Sequence, residues 1–286
     1  MLPATLKLCC GISHQPLRSL TGLQQPAVGA FGKEMSKFIL SNADNCFQNI
    51  PHSLQNLLCT KIGINANPNL ETTAVLSSRD MFYLNQIKET LHKAKSMLQQ
   101  EGWQTEQKNE DWILSKSFPK IGKVFRAEAV IDSPPEHIYT QLFEKLEHID
   151  QWNPNISKVQ ILQRIGKNTL LTREVTAQNL AHMVSQRDFV NVQHCCRSGS
   201  SLYLIGTEAH SNLMPPQKEM IRAKAKLTCI ILRPVEGDRR KTHFTWLLSL
   251  DLKGWIPQSI TERVLSQSQA DFISHLRRHL SSLEKI

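Results

Sequence analysis

The chain contains no apolar run near the roughly 20 residues needed to span a bilayer as a helix, so it works in water or visits membranes from their surface. Its seven cysteines, at positions 9, 10, 46, 59, 195, 196 and 229, are odd in number and form no C-x-x-C pair. That argues against a disulfide framework and a zinc site, and fits a reducing compartment. Aromatic residues make up only 6% of the chain, and no Lys/Arg-rich block of five to eight is present, so a dedicated nucleic-acid surface is not expected. G-x-S-x-G, H-E-x-x-H and phosphate-binding glycine loops are missing as well. The expectation is a protein with no catalytic residues, metal or cofactor.

Acidic residues are absent before Glu34, while Lys7, Arg18 and Lys33 are scattered among Leu, Ser and Thr. This is the composition of a mitochondrial presequence. A secretory signal needs a continuous apolar core, which Pro3, Lys7, Gly11 and His14 interrupt. Residues 41–70, rich in Asn, Ser and Pro, read as a linker. The division expected is therefore a targeting segment and linker over residues 1–69 and a folded domain over 70–283. The net charge of +9 is spread along the chain rather than concentrated. At 286 residues and 40% hydrophobic content, a substantial core can form.

From residue 78 the apolar period is helical, with Leu84, Ile87, Leu91, Ala94 and Leu98 on one face, ending at Glu101-Gly102. It then becomes strand-like over 123–132. Pro134-Pro135 opens a second helix predicted to run to His148. Strands are expected at 156–164 and 168–176, turned at Ile165-Gly166-Lys167-Asn168, and then at 189–194, 200–207, 220–232 and 241–252. In the last, Phe244, Trp246, Leu248, Leu250 and Leu252 share a face; before it, Ile221, Ala223, Ala225, Leu227, Cys229 and Ile231 read as one continuous face. An α+β architecture follows, a curved antiparallel sheet with helices at both ends of the domain.

The C-terminal helix is predicted to start near Ser259, where Ser259-Ile260-Thr261-Glu262 has capping-box spacing after Pro257. Ile260, Val264, Ser268, Phe272, Leu276 and Leu280 align along it. Ser268 either bonds back to a carbonyl one turn earlier or serves a buried ligand. Facing this helix, the small Ala223 and Ala225 imply either close packing or a cavity, and close packing is the ordinary outcome.

Three stretches carry a family resemblance: DQWNPNISKVQILQRIGKNT (150–169), SQRDFVNV (185–192), and TWLLSLDLKGWIPQSI followed by VLSQSQADFISHLRRHL (245–280). Together they resemble the START domain family. The resemblance implies a helix-grip fold whose sheet wraps one lipid beneath the C-terminal helix. It further implies non-enzymatic binding and transfer of cholesterol or a related sterol by a monomer at the outer mitochondrial membrane, in the service of steroid synthesis.

Carried over by position, the resemblance makes Glu174, in LTREVT, the acid inside the tunnel. Trp246, Phe272 and Leu276 become wall residues, and Ser268 and Asn153 polar wall positions. The family's basic partner for the acid falls on Gln193, which carries no charge. A buried carboxylate without a cation should have a raised pKa, unless Arg187, at another family arginine position, reaches it. The family's basic phosphorylation motif is degraded here to Cys196-Arg197-Ser198-Gly199-Ser200, so the resemblance is to a divergent form. The loop Ser211–Gln217 is a second candidate gate. Lys253, Arg277 and Arg278 could hold anionic lipid or simply form a solvated face. A hydrolase and a cavity-free interaction scaffold are the alternatives.

Overall fold

The computed structural model describes residues 76–108, 111–178 and 186–284, so the expected targeting segment and linker lie outside the described residues. Helix α1 (Ser78–Leu98) opens on a capping box. Ser77 Oγ accepts from the Asp80 amide, and the Asp80 carboxylate accepts from the Ser77 amide. Three strands follow, β1 (Gln104–Lys108), β2 (Trp112–Phe118) and β3 (Gly122–Ile131), then α2 (Pro135–Tyr139). Seven more strands complete the sheet: β4 (Ile156–Ile165), β5 (Thr169–Thr176), β6 (Arg187–Ser198), β7 (Ser201–Glu208), β8 (Ile221–Arg222), β9 (Lys224–Val235) and β10 (Asp238–Asp251). Helix α3 (Gln258–Leu283) ends the domain. The sheet order is β1-β2-β3-β10-β9-β7-β6-β5-β4, antiparallel along this path, with β8 added parallel to β6.

Two apolar layers hold the sheet. On one face Tyr83, Ile87, Leu91, Ala94 and Met97 of α1 pack on Leu171, Val192, Leu227, Cys229 and Leu247. On the other, α3 contributes Leu265, Ile273, Leu276 and Leu280 to a cluster with Phe125, Ala223, Ala225 and Phe244. Because both faces are covered, β5 and β6 are buried almost throughout, and simple alternation cannot tell inside from outside.

Several expectations need correction. Strands β1 and β2 lie in a stretch whose mixed polarity gave no strand signal; β1 is an all-polar edge strand, QTEQK. The second helix is broken: α2 passes into a π-helical segment at Thr140–Glu144 and a 3-10 segment at Leu146–Gln151. The continuous face read over 221–231 switches at a bulge. Leu227 pairs with Ser249 and Ala225 with Leu250, leaving Lys226 as the extra residue. Ala223 and Ala225 therefore face α3, while Leu227, Cys229 and Ile231 face α1.

The start of α3 also differs. Pro257 is its N-cap, without a side-chain capping bond, and Ser259 already lies inside the helix. Glu262 is engaged elsewhere, accepting from Lys123 Nζ and Gln258 Nε2, each at 2.8 Å. The turn at 165–168 forms as expected, with Ile165 paired to Thr169 and Gly166 at φ 66°.

Candidate functional site

Between the inner face of the sheet and α3 lies a cavity of about 230 Å³. Ala225 and Gly206 contribute to its wall, so the facing helix does not fill the space the small residues leave. At Gly206 the tightness comes from the neighbouring strand. A Cβ there would sit 2.7 Å from the Thr228 methyl and displace it. Thr228 is worth preserving, since its hydroxyl accepts from Trp246 Nε1 at 2.9 Å and fixes the indole against the cavity. Phe272 of α3 closes on that indole at 4.9 Å between ring centroids, and on Trp152 at 5.6 Å. The remaining wall is mainly aliphatic and aromatic, including Leu142, Leu146, Val159, Phe189 and Leu204.

Among the polar residues that interrupt it, one cluster contains an acid. Glu174 on β5 pairs in register with Phe189 of β6, and its side chain reaches along the sheet to those of Asn191 and Gln193 on the same strand. Gln193 Nε2 donates to Glu174 Oε1 at 2.6 Å and to Thr172 Oγ1 at 3.2 Å; Asn191 Nδ2 stands 3.5 Å from the same carboxylate oxygen. Burial pushes the Glu174 pKa above the ordinary carboxylate value, and the two amide donors only partly oppose it. Glu174 retains some accessible surface, but that surface belongs to the cavity wall, not to the outside of the protein. Nearby His194 is held at about 4 by burial, so it supplies no positive charge at neutral pH; its Nδ1 lies 2.8 Å from Thr169 Oγ1.

Arg187 does not serve as the acid's partner. It lies on the same face of β6 as Asn191 and Gln193, at one end of the cavity, but its Nε and Nη2 donate to the Leu252 and Lys253 carbonyls, each at 3.2 Å. Glu174 thus meets two neutral amides and no cation among its hydrogen-bond partners.

Of the other expected site residues, Asn153, Trp246, Ser268 and Phe272 border the cavity. Asn153 is buried and its Oδ1 accepts from the Asn155 amide at 3.2 Å. Ser268 Oγ donates to the Leu265 carbonyl at 2.9 Å, so the back-bonded alternative holds even though the residue is on the wall. Leu276 is a correction: it is fully buried in the core one turn beyond Phe272 and does not border the cavity. Asn191, Thr228 and Gly206 were missed. The spacing Arg187, Phe189, Asn191, Gln193 within SQRDFVNVQ does carry Asn191 on the same face as Gln193. Thr228 was hidden by the bulge at Lys226.

The suggested membrane cations are partly committed. Arg277 forms a double hydrogen bond with Asp111, at 2.7 and 2.6 Å, and Lys253 pairs with Asp251 at 2.7 Å. None of residues 211–217 borders the cavity; Met214 instead packs with the α1-side cluster.

A long antiparallel sheet gripped by a C-terminal helix over an apolar cavity is a helix-grip architecture with room for a small apolar molecule. The START domain profile matches residues 83–286. The chain is 42% identical over 285 residues to the steroidogenic acute regulatory protein, mitochondrial, of Danio rerio, covering 99% of this chain and 96% of that one. It is 42% identical over 286 residues to the protein of the same name from Homo sapiens, covering 99% and 97%. Among solved structures, human StAR-related lipid transfer protein 5 shares the fold with a TM-score of 0.65 at 18% identity, over 72% of this chain and 99% of that one. The chain belongs to the START domain family, and its α+β helix-grip fold is the one the family resemblance implied.

Proposed function

We propose that this chain is a non-enzymatic carrier that binds one molecule of cholesterol or a related sterol and transfers it at mitochondria, supplying cholesterol for steroid hormone synthesis. The observation that carries this reading is the apolar cavity with an acid-amide group on its wall, Glu174 with Gln193 and Asn191, in a chain so similar to relatives named as mitochondrial steroidogenic acute regulatory proteins. Affinity comes from apolar area removed from water, at about 25 cal/mol per Å². The acid-amide group orients the hydroxyl, Trp246 and Phe272 pack on the rings, and Asn153 and Ser268 offer further polar wall.

The cavity volume constrains the mechanism. An apolar cavity of roughly 150 Å³ holds one benzene, so about 230 Å³ accommodates more than one ring but less than a whole sterol without expansion. Loading a whole sterol therefore needs the wall to expand, and α3, which closes one side of the cavity, is the proposed moving element. The helix is held at both ends by ion pairs, Lys123 with Glu262 and Arg277 with Asp111, and near its middle by Gln269 Nε2 donating to the Trp246 carbonyl at 3.1 Å. These contacts can break and reform without disturbing the sheet.

The proposed working surface is the outer mitochondrial membrane, visited by a monomer. Supporting it, Trp255 in the connection to α3 is 95% exposed, where an indole can enter the membrane interface with its N–H still wet. Saturable one-to-one binding of a fluorescent sterol, followed by vesicle-to-vesicle transfer, tests the whole reading; a protein that binds no sterol would refute it. In the same assay Trp255→Ala should leave sterol affinity unchanged and weaken vesicle adsorption and transfer by roughly tenfold, the value of losing one interfacial aromatic.

Residues 1–69 are proposed to direct import and to play no part in sterol binding. Their deletion should abolish accumulation in the mitochondrial matrix, followed by cell fractionation, and leave the sterol Kd unchanged. A deleted protein that folds but has lost its sterol affinity would contradict the division at 69/70.

A further inference from the structure

The connection between β10 and α3 is short and conformationally marked. Strand β10 ends at Asp251 and α3 begins at Gln258, with Lys253 at φ 53° and Gly254 at φ 75° between them. Two successive left-handed residues, one of them not glycine, make this the point where the chain turns sharply from sheet to helix. Arg187 is built against this turn. The residue is only 3% exposed, and its guanidinium donates to the carbonyls of Leu252 and Lys253. A Cβ on Gly254 would stand 3.3 Å from Arg187 Nη2 and 3.4 Å from the Ile221 side chain, so the turn is seated on these two groups.

Arg187 has a rigid base. Asp188, the next residue, is completely buried and receives Arg222 through two hydrogen bonds of 2.9 Å and Arg173 at 3.0 Å. The adjacent strand β8 is registered on the same pair, Ile221 opposite Arg187 and Arg222 opposite Asp188. Consecutive strand residues point to opposite faces. Asp188 thus anchors the strand on one side while Arg187 reaches the turn on the other.

We propose that Arg187 is a positioning residue for the lid: it holds the Leu252–Gly254 turn and so sets how fast α3 opens, without itself supplying sterol affinity. The proposal rests on the sterol-carrier reading. It differs from a ligand-contact role in its kinetics. A sterol enters and leaves through the same opening, so a loosened turn accelerates both steps alike and leaves their ratio unchanged. A lost ligand contact accelerates departure alone.

The test uses Arg187→Gln in the full chain, with stopped-flow binding of a fluorescent sterol analogue and amide hydrogen exchange over residues 252–257 in sterol-free protein. Association and dissociation rates should both rise about tenfold, as for loss of a charge-assisted hydrogen bond. The Kd should hold in Gly254→Ala, whose residue lies off the cavity wall, and exchange at 252–257 should quicken in both variants. Gly254→Ala, which presses on Arg187 and strains the turn, should reproduce the pattern and decides the matter alone if Arg187→Gln fails to fold. A higher dissociation rate with unchanged association in Arg187→Gln, or unaltered hydrogen exchange at the turn in either folded variant, would overturn the proposal. Wild-type protein that binds no sterol would instead defeat the carrier reading, while the sterol-free exchange still reports on the turn.

Discussion

Replacing Asp188 with Ala is expected to destabilise the domain by about 3–5 kcal/mol, the cost of breaking a buried ion pair from one side. Two guanidiniums would be stranded. Arg173 has a side chain only 10% exposed and Arg222 one 22% exposed, and both converge on a carboxylate with no exposure at all. Burial alone would raise the Asp188 pKa, but the combined hydrogen bonds and charges of Arg222 and Arg173 outweigh it and hold the carboxyl below the ordinary aspartate value. The sign of the pH dependence follows. A depressed folded pKa contributes stability that is fully present above the unfolded value, near 4, and is lost as pH falls through the lower folded value. In a domain of this size the midpoint of thermal unfolding should drop on the order of 10 °C. Arg222→Met should do less harm, since Arg173 still pairs with the acid. A loss below about 1 kcal/mol for Asp188→Ala in urea unfolding, the range of an exposed pair, would show that the cluster is a surface feature. The consequence reaches the cavity, because the same strand end seats Arg187 against the lid turn.

Much of the sheet was legible because its inward and outward residues differ in kind. In β10 and the residue just beyond it, Phe244, Trp246, Leu248, Leu250 and Leu252 read directly as one face, and Trp246, Leu248, Leu250 and Leu252 line the cavity. Alternation failed where α1 covers the reverse side. In β5, Leu171 and Val175 are as buried as Leu170 and Thr172, so polarity cannot show which way Glu174 points; only the family resemblance placed it inward. The bulge at Lys226 defeated the reading of β9 for a different reason. An inserted residue shifts every later side chain to the other face, and a run such as Leu227, Cys229, Ile231 is apolar whichever layer it meets. The capping box at Ser259 failed because the chain had a stronger use for Glu262, a tertiary ion pair with Lys123. At Ala223 and Ala225 the ordinary expectation, close helix packing, gave way to a cavity bordered by Ala225, because neither the size nor the spacing of these residues separates a void from a close helix contact.

Sterol affinity should fall as the pH rises through the Glu174 pKa and level off at the weaker affinity of the ionised site, the neutral acid being the tighter-binding form. The reason lies in what Gln193 can and cannot do. Its amide reaches Glu174 Oε1 at 2.6 Å, so the acid has a hydrogen-bond donor, but no counter-charge. Burial then dominates and the folded pKa is raised. The folded protein holds the proton more tightly than the unfolded chain, so the stabilising contribution of the neutral acid is complete below the unfolded value, near 4.3, and is lost as pH rises through the raised folded value. Protonated, Glu174 can donate to a sterol hydroxyl while Gln193 Oε1 accepts from it; ionised, it can only accept and must be desolvated by the incoming ligand. Glu174→Gln keeps a neutral donor and should change affinity by no more than about threefold, less than one hydrogen bond, while flattening the pH profile. Gln193→Arg supplies the missing charge and should lower the Glu174 pKa by roughly 1–3 pH units, restoring an ion pair that persists through neutral pH. Carboxyl-carbon NMR of Glu174 in wild type and Gln193→Arg, alongside sterol Kd at matched pH, separates the cases. An ordinary glutamate titration in both proteins would mean that water reaches Glu174 freely and that the acid-amide group does not orient the sterol.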